Sequence, residues 1–127
     1  MRISKLFSVC LVAALFAAGT ALAGSMAARF GNTVVVTYPD GAIIKFFYNQ
    51  DSTFSATAEA GGKTVAQTTG KWRQDGDKLC VKADTDFGAF KGGEERCVPL
   101  QGDKVGDTWQ TKIKDSKGND AVATAKI

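Results

Sequence analysis

The chain has 127 residues, with 16 Lys and Arg against 13 Asp and Glu and no histidine. Without imidazole, Ser-His-Asp and Cys-His catalysis and a histidine-based zinc site are excluded. The excess of cations includes Arg2 and Lys5; without these two the balance is 14 against 13, which gives no electrostatic case for nucleic acid or an anionic membrane.

The first segment in chain order is MRISKLFSVCLVAALFAAGTALA, residues 1–23. Arg2 and Lys5 form a short basic start, residues 6–18 are an apolar run, and Ala21-Leu22-Ala23 puts small residues at both specificity positions of a cleavage site. This pattern predicts a secretory signal cleaved after Ala23, leaving residues 24–127 as one small domain in the periplasm or outside the cell. The apolar run is too short for a membrane span, so no transmembrane segment is expected after signal removal. Cys10 precedes the bulk of the run, whereas a lipoprotein cysteine would follow it. Two cysteines then remain, Cys80 and Cys97, and an even pair in an exported chain predicts a disulfide.

From residue 32 onward, short runs rich in Val, Ile, Thr and aromatics are separated by Gly, Asp and Asn clusters at about ten-residue spacing. Eight strands are predicted: 32–38, 42–48, 53–58, 63–74, 78–83, 95–100, 107–114 and 120–126. Strict alternation supports several of them. Phe54, Ala56 and Ala58 share one face, as do Leu79, Val81 and Ala83, and as do Trp109, Thr111 and Ile113. The segment 42–48 is apolar on both faces apart from Lys45. The connections suit sequential hairpins, so the expected fold is all-β, an antiparallel meander closed as a barrel or stacked as a sandwich. An eight-stranded barrel is either filled by side chains or hollow enough for one small ligand. The alternating residues are often small (Ala56, Ala58, Ala66, Thr68, Gly70, Ala121, Ala123, Ala125), which either lets the walls approach closely, the favoured reading, or leaves a cavity. A ligand site predicts an apolar cavity of about 300 Å3 or more; an interior filled by Phe46, Phe54, Trp72 and Ile113 would leave none.

Gly70-Lys71-Trp72 is a Gly-x-Trp on a strand. It resembles the motif of lipocalins and the wider calycin barrels, although they carry it on the first strand and here it falls on the fourth. The resemblance implies a Trp closing one barrel end beside a Gly that permits close backbone approach. Residues 48–58, YNQDSTFSATA, resemble the first hairpin of avidin-type biotin binders. That would give Asn49 and Ser52 to a ureido oxygen. The turn here is one residue shorter, and only Trp72 and Trp109 could stack on a ligand, so the stretch is read as turn chemistry. The pairing of Gly70-x-Trp72 with Val105-Gly106-Asp107-Thr108-Trp109, with two cysteines between, is similar to small exported proteins of Gram-negative bacteria, which implies a fold and a compartment but no activity.

Asp75-Gly76-Asp77 reads as a hairpin turn. Asp84-x-Asp86, with Glu94 and Glu95 further on, has calcium-like spacing but lacks the long loop and closing Glu of an EF-hand, so no metal or cofactor is expected. The longest connection, residues 84–94, lies between the cysteines and carries Asp84, Asp86, Phe87, Phe90 and Lys91. If its aromatics are exposed, it suits protein recognition; if they fold back, they plug the barrel mouth. Gly70, Trp72 and Trp109 are expected in the structural core. The sequence therefore points to an exported, non-enzymatic binding module whose partner is a small apolar ligand or an envelope protein. The alternatives are an inhibitor acting through residues 84–94 and a structural envelope protein.

Overall fold

The computed structural model describes residues 24–88, 90–115 and 117–127; the predicted signal segment lies outside them. A 3-10 turn at Ala27–Arg29 precedes eight strands: β1 Thr33–Thr37, β2 Ile43–Tyr48, β3 Thr53–Ala60, β4 Lys63–Asp75, β5 Lys78–Ala83, β6 Glu95–Pro99, β7 Thr108–Lys114 and β8 Asp120–Lys126. Each lies within two residues of its predicted bounds. No described helix is long and apolar enough to cross a membrane.

The strands form one antiparallel sheet in the order β6-β5-β4-β3-β2-β1-β8-β7, curled into a half-barrel. That order is the cyclic order of an up-and-down barrel, broken once. Strands β6 and β7 are consecutive in the chain, yet they form the two free edges of the sheet. The chain closes elsewhere, through the pairing of β1 with β8 at Val36 and Ala125.

The inward faces predicted for β3, β5 and β7 are the observed ones. Val34 and Val36, Ile44 and Tyr48, Phe54 and Ala56, Leu79, Val81 and Ala83, and Ala123 and Ala125 form the buried core. Strand β2 is the exception in pattern. Its inward Ile44, Phe46 and Tyr48 are matched on the outer face by Phe47, which is 39% exposed, and by Lys45, which pairs with Glu59 on β3 at 2.9 Å. The strand is thus covered on one face only.

Gly70 pairs with Phe54 on β3 and Ala83 on β5. A Cβ there would meet the Lys82 carbonyl oxygen at 2.2 Å and the Phe54 ring at 2.6 Å, so the absent side chain is what lets the ring lie against β4. Trp72 is half-buried. Its indole N–H donates to the Asn49 carbonyl at 2.9 Å, and its ring packs on Phe30 and Tyr48, with centroids 5.7 and 6.5 Å away. Gly76 adopts a left-handed φ of 60° in the tight turn between β4 and β5, as the Asp75-Gly76-Asp77 pattern requires.

Cys80 and Cys97 face each other across β5 and β6 and form the predicted disulfide. It lies on the outer face, because Leu79 and Val81 point inward on either side of Cys80. Cys80 is fully buried beneath this staple. Beside it, Arg73 on β4 makes a bidentate pair with Glu95 on β6, at 2.7 and 2.9 Å. The outer face of the β4-β5-β6 edge is therefore held by one covalent link and one fork-type ion pair.

Candidate functional site

The missing ladder between β6 and β7 opens into the barrel interior as a cleft enclosing a cavity of about 120 Å3. Its back wall is Val34, Val36, Ile44, Phe46 and Tyr48 from β1 and β2, with Leu79 and Val81 from β5 and Ala125 from β8. One lip is β6, through Arg96, Val98 and Pro99; the other is β7, through Trp109, Thr111 and Ile113. The space is smaller than the 300 Å3 expected of a ligand pocket, yet it is not filled either. Phe46 and Ile113 line the cavity, whereas Phe54 and Trp72 pack elsewhere. A cavity of roughly 150 Å3 holds one benzene-sized group, which sets the scale for what fits inside.

One end of the cleft is formed by the segment that precedes β1. Ser25 N–H donates to the Gly102 carbonyl at 3.1 Å, which ties this segment to the connection between β6 and β7. Arg29 is only 3% exposed. Its Nη1 donates to the carbonyls of Ser25 (2.9 Å) and Gly102 (3.4 Å), and its Nη2 to that of Gln101 (2.6 Å). Its guanidinium carbon lies 5.2 Å from the centre of the Trp109 ring, a cation–π contact. The buried Nε has no hydrogen-bond partner. Burial lowers the pKa of this guanidinium from its ordinary value, and the nearby Tyr48 phenol acts in the opposite direction. Burial also pushes the Tyr48 phenol far above its ordinary range, so it stays protonated and neutral near pH 7.

The other end carries Tyr38, Phe90, Arg96, Ile113 and Lys114. The Arg96 guanidinium carbon lies 5.2 Å from the centre of the Phe90 ring. Lys114 is engaged in an exposed pair with Asp120, while Lys112 lies exposed at the lip. Among the described residues, no carboxylate lines the cleft.

Of the residues expected in the loop 84–94, only Phe90 reaches this cleft. Phe87 is 2% exposed and folds into the core. Reciprocal backbone hydrogen bonds between Phe87 and Phe90, at 2.8 and 2.9 Å, make a tight hairpin tip that turns both rings toward the barrel. Asp84 accepts from the Thr69 hydroxyl (2.8 Å) and Asp86 from the Gly92 N–H (2.8 Å), so both carboxylates pin the loop instead of projecting from it. Lys91 is exposed. Of the two readings of this loop, the plug is the one observed, for the physical reason that two phenylalanines gain more from the barrel end than from water. Among the described residues, the one group of potential metal ligands close together is Cys80, Glu95 and Cys97, and its sulfurs are tied up in the disulfide.

Trp109, like Trp72, is half-buried and packed against the core, and it also stands at the cleft wall under Arg29. Asn49 and Ser52 are exposed in the β2–β3 turn, away from the cavity, where the Asn49 amide donates to the Thr53 hydroxyl. The two arginines of the cleft are not singled out by the sequence pattern. Arg96 was accessible to it: with Leu79 and Val81 inward, Cys80 faces out, its partner Cys97 faces out too, and the neighbours Arg96 and Val98 must face in. Arg29 lies before the first strand, where no alternation applies; its signal was a lone charge in the apolar run Met26-Ala27-Ala28-Arg29-Phe30. No known protein family, curated protein or solved structure matches the chain.

Proposed function

We propose that this protein is an exported, non-enzymatic binding module that takes a small apolar ligand into the cleft between β6 and β7. One observation carries the reading: the barrel lacks a single ladder, and the interior exposed there is lined by Val, Ile, Leu, Phe, Tyr and Trp side chains around a cavity of about 120 Å3. Apolar surface that stays accessible in a folded domain is stabilised when a ligand covers it. The signal-type start of the chain and the disulfide support export to the periplasm or beyond. Burial of Phe87 and the turn of Phe90 into the cleft count against an inhibitor acting through the loop 84–94.

Octanol is a suitable probe, since its chain can enter the cavity and leave through the opening. Trp109 stands at the cleft wall, so saturable changes in its fluorescence on titration are expected, with Trp72 replaced by Phe to isolate the signal. No saturable change with octanol or with its charged eight-carbon analogues, together with no shift in melting temperature, would overturn the reading. Export is tested separately by cell fractionation and N-terminal sequencing, with a mature chain beginning at Gly24 expected.

A further inference from the structure

We infer that the ligand is an amphipathic monoanion: an apolar body about the size of one ring or a short alkyl chain, carrying one carboxylate whose charge Arg29 balances. This rests on the binding reading above and adds the charge of the ligand to it. Arg29 is a full cation, buried to 97% and lining the cleft. Three carbonyls hold its terminal nitrogens, but carbonyl dipoles do not cancel a unit charge, and the buried Nε has no partner. Among the described residues no carboxylate forms an ion pair with it, and the neighbouring Tyr48 phenol is held neutral by burial. A buried cation without a counter-charge is expensive, and proteins ordinarily pair it or hydrogen-bond it completely.

The rest of the cleft has the same bias. Arg96 stands at the far end over Phe90, and Lys112 lies at the lip. The wall between is apolar, and no described carboxylate lines it. A neutral apolar ligand would leave Arg29 unbalanced, and a cationic one would be repelled from both ends. A carboxylate on an apolar stem satisfies the wall and the charge together, and hydrogen bonds to charged groups are the stronger class.

The test compares three eight-carbon probes on the purified protein by calorimetry: octanoate, octanol and octylammonium. Octanoate is expected to bind at least about tenfold more tightly than octanol, the factor one charge-assisted hydrogen bond supplies, and octylammonium more weakly than either. If octanol binds and octanoate binds no better, the charge assignment fails while the binding reading stands. If none of the three binds, the binding reading itself fails. In 15N spectra of the arginine side chains, octanoate should shift the Arg29 Nε–H resonance and octanol should leave it in place; an unmoved resonance on octanoate binding overturns the role of Arg29. Arg29→Gln should abolish the preference for octanoate if it folds, whereas a folded Arg29→Gln that retains the preference counts against the assignment. The spectra on the unaltered protein decide the matter even if that variant does not fold.

Discussion

Strands β3 and β7 have equally clear alternation and quite different environments. In β3, the inward Phe54 and Ala56 are 3% and 1% exposed. In β7, the inward Trp109, Thr111 and Ile113 are only half-buried. The chemistry of the inward positions does not account for this, since Ile113 and Trp109 are at least as apolar as Ala56. The difference is the neighbour. Strand β3 is flanked by β2 and β4 and faces a filled interior, whereas β7 pairs only with β8 and looks onto the gap where β6 should complete the barrel. Alternation reports which face points inward; whether that face is covered depends on closure of the sheet, and the one missing ladder turns the β7 side from core into site.

The largest test of this contrast is a pair of truncations. Phe54→Ala should cost about 3–5 kcal/mol, the range for a buried aromatic in a packed wall. Ile113→Ala should cost only about 1 kcal/mol, because the side chain is half in solvent already. Urea unfolding of both variants checks this, and similar costs would mean that the β6–β7 side is closed in solution. Next is the disulfide. Reduction, or replacement of both Cys80 and Cys97 by Ser, should lower stability by about 3 kcal/mol on the loop-entropy account, measured by unfolding with and without reductant. Because the staple ties down β6, amide exchange should rise more on β6 than on β3.

Thr111→Leu sharpens the comparison at smaller scale. It adds apolar volume to the cavity wall without crowding a packed core, so stability should change by less than about 1 kcal/mol while octanol binding is lost. A large destabilisation would show that the space at Thr111 is already filled.

The smallest effect concerns acid. Four carboxylates sit below their ordinary range: Asp51 through the Thr53 hydroxyl and amide, Glu95 through the Arg73 fork, Asp107 through the amides of Asp103 and Lys104, and Asp120 through Lys114. A carboxyl depressed in the folded state contributes stability above its unfolded value, and that contribution is lost as pH falls through the folded one. Unfolding midpoints should therefore be flat from pH 7 to 5 and decline below about pH 4. Glu95, Asp107 and Asp120 lie on β6, just before β7 and on β8, so amide protection should weaken first around the gap. Earlier loss on β3 would contradict the contrast.

Much of the architecture was legible in the sequence. The turn clusters set the strand bounds, and period-two alternation assigned the inward faces of β3, β5 and β7, because a β-strand puts successive side chains on opposite sides whatever surrounds it. The disulfide followed from the even cysteine count, and the register places Cys80 directly opposite Cys97. Of the candidate site, the sequence marks Phe46, Leu79, Val81, Trp109, Thr111, Ile113 and Ala125 as inward or packing positions and Phe90 as part of the loop, but it does not bring them together around one cleft. Loop 84–94 resisted the reading because turn residues and two phenylalanines fit an exposed tip and a plug equally well. Only the folded barrel offers Phe87 an apolar end to enter.

The sequence by itself determined the all-β class, the strand boundaries, the inward and outward faces and the staple. These depend on local geometry, on solvent preference and on a covalent pair. The tertiary structure alone decided that the ladder between β6 and β7 stays unmade, that the segment before β1 carries Arg29 beneath Trp109, and that β1, β2, β5, β6, β7 and β8 share one cleft. Those outcomes depend on how far the sheet curls and where distant carbonyls come to rest, and neither is set by the alternation within a strand.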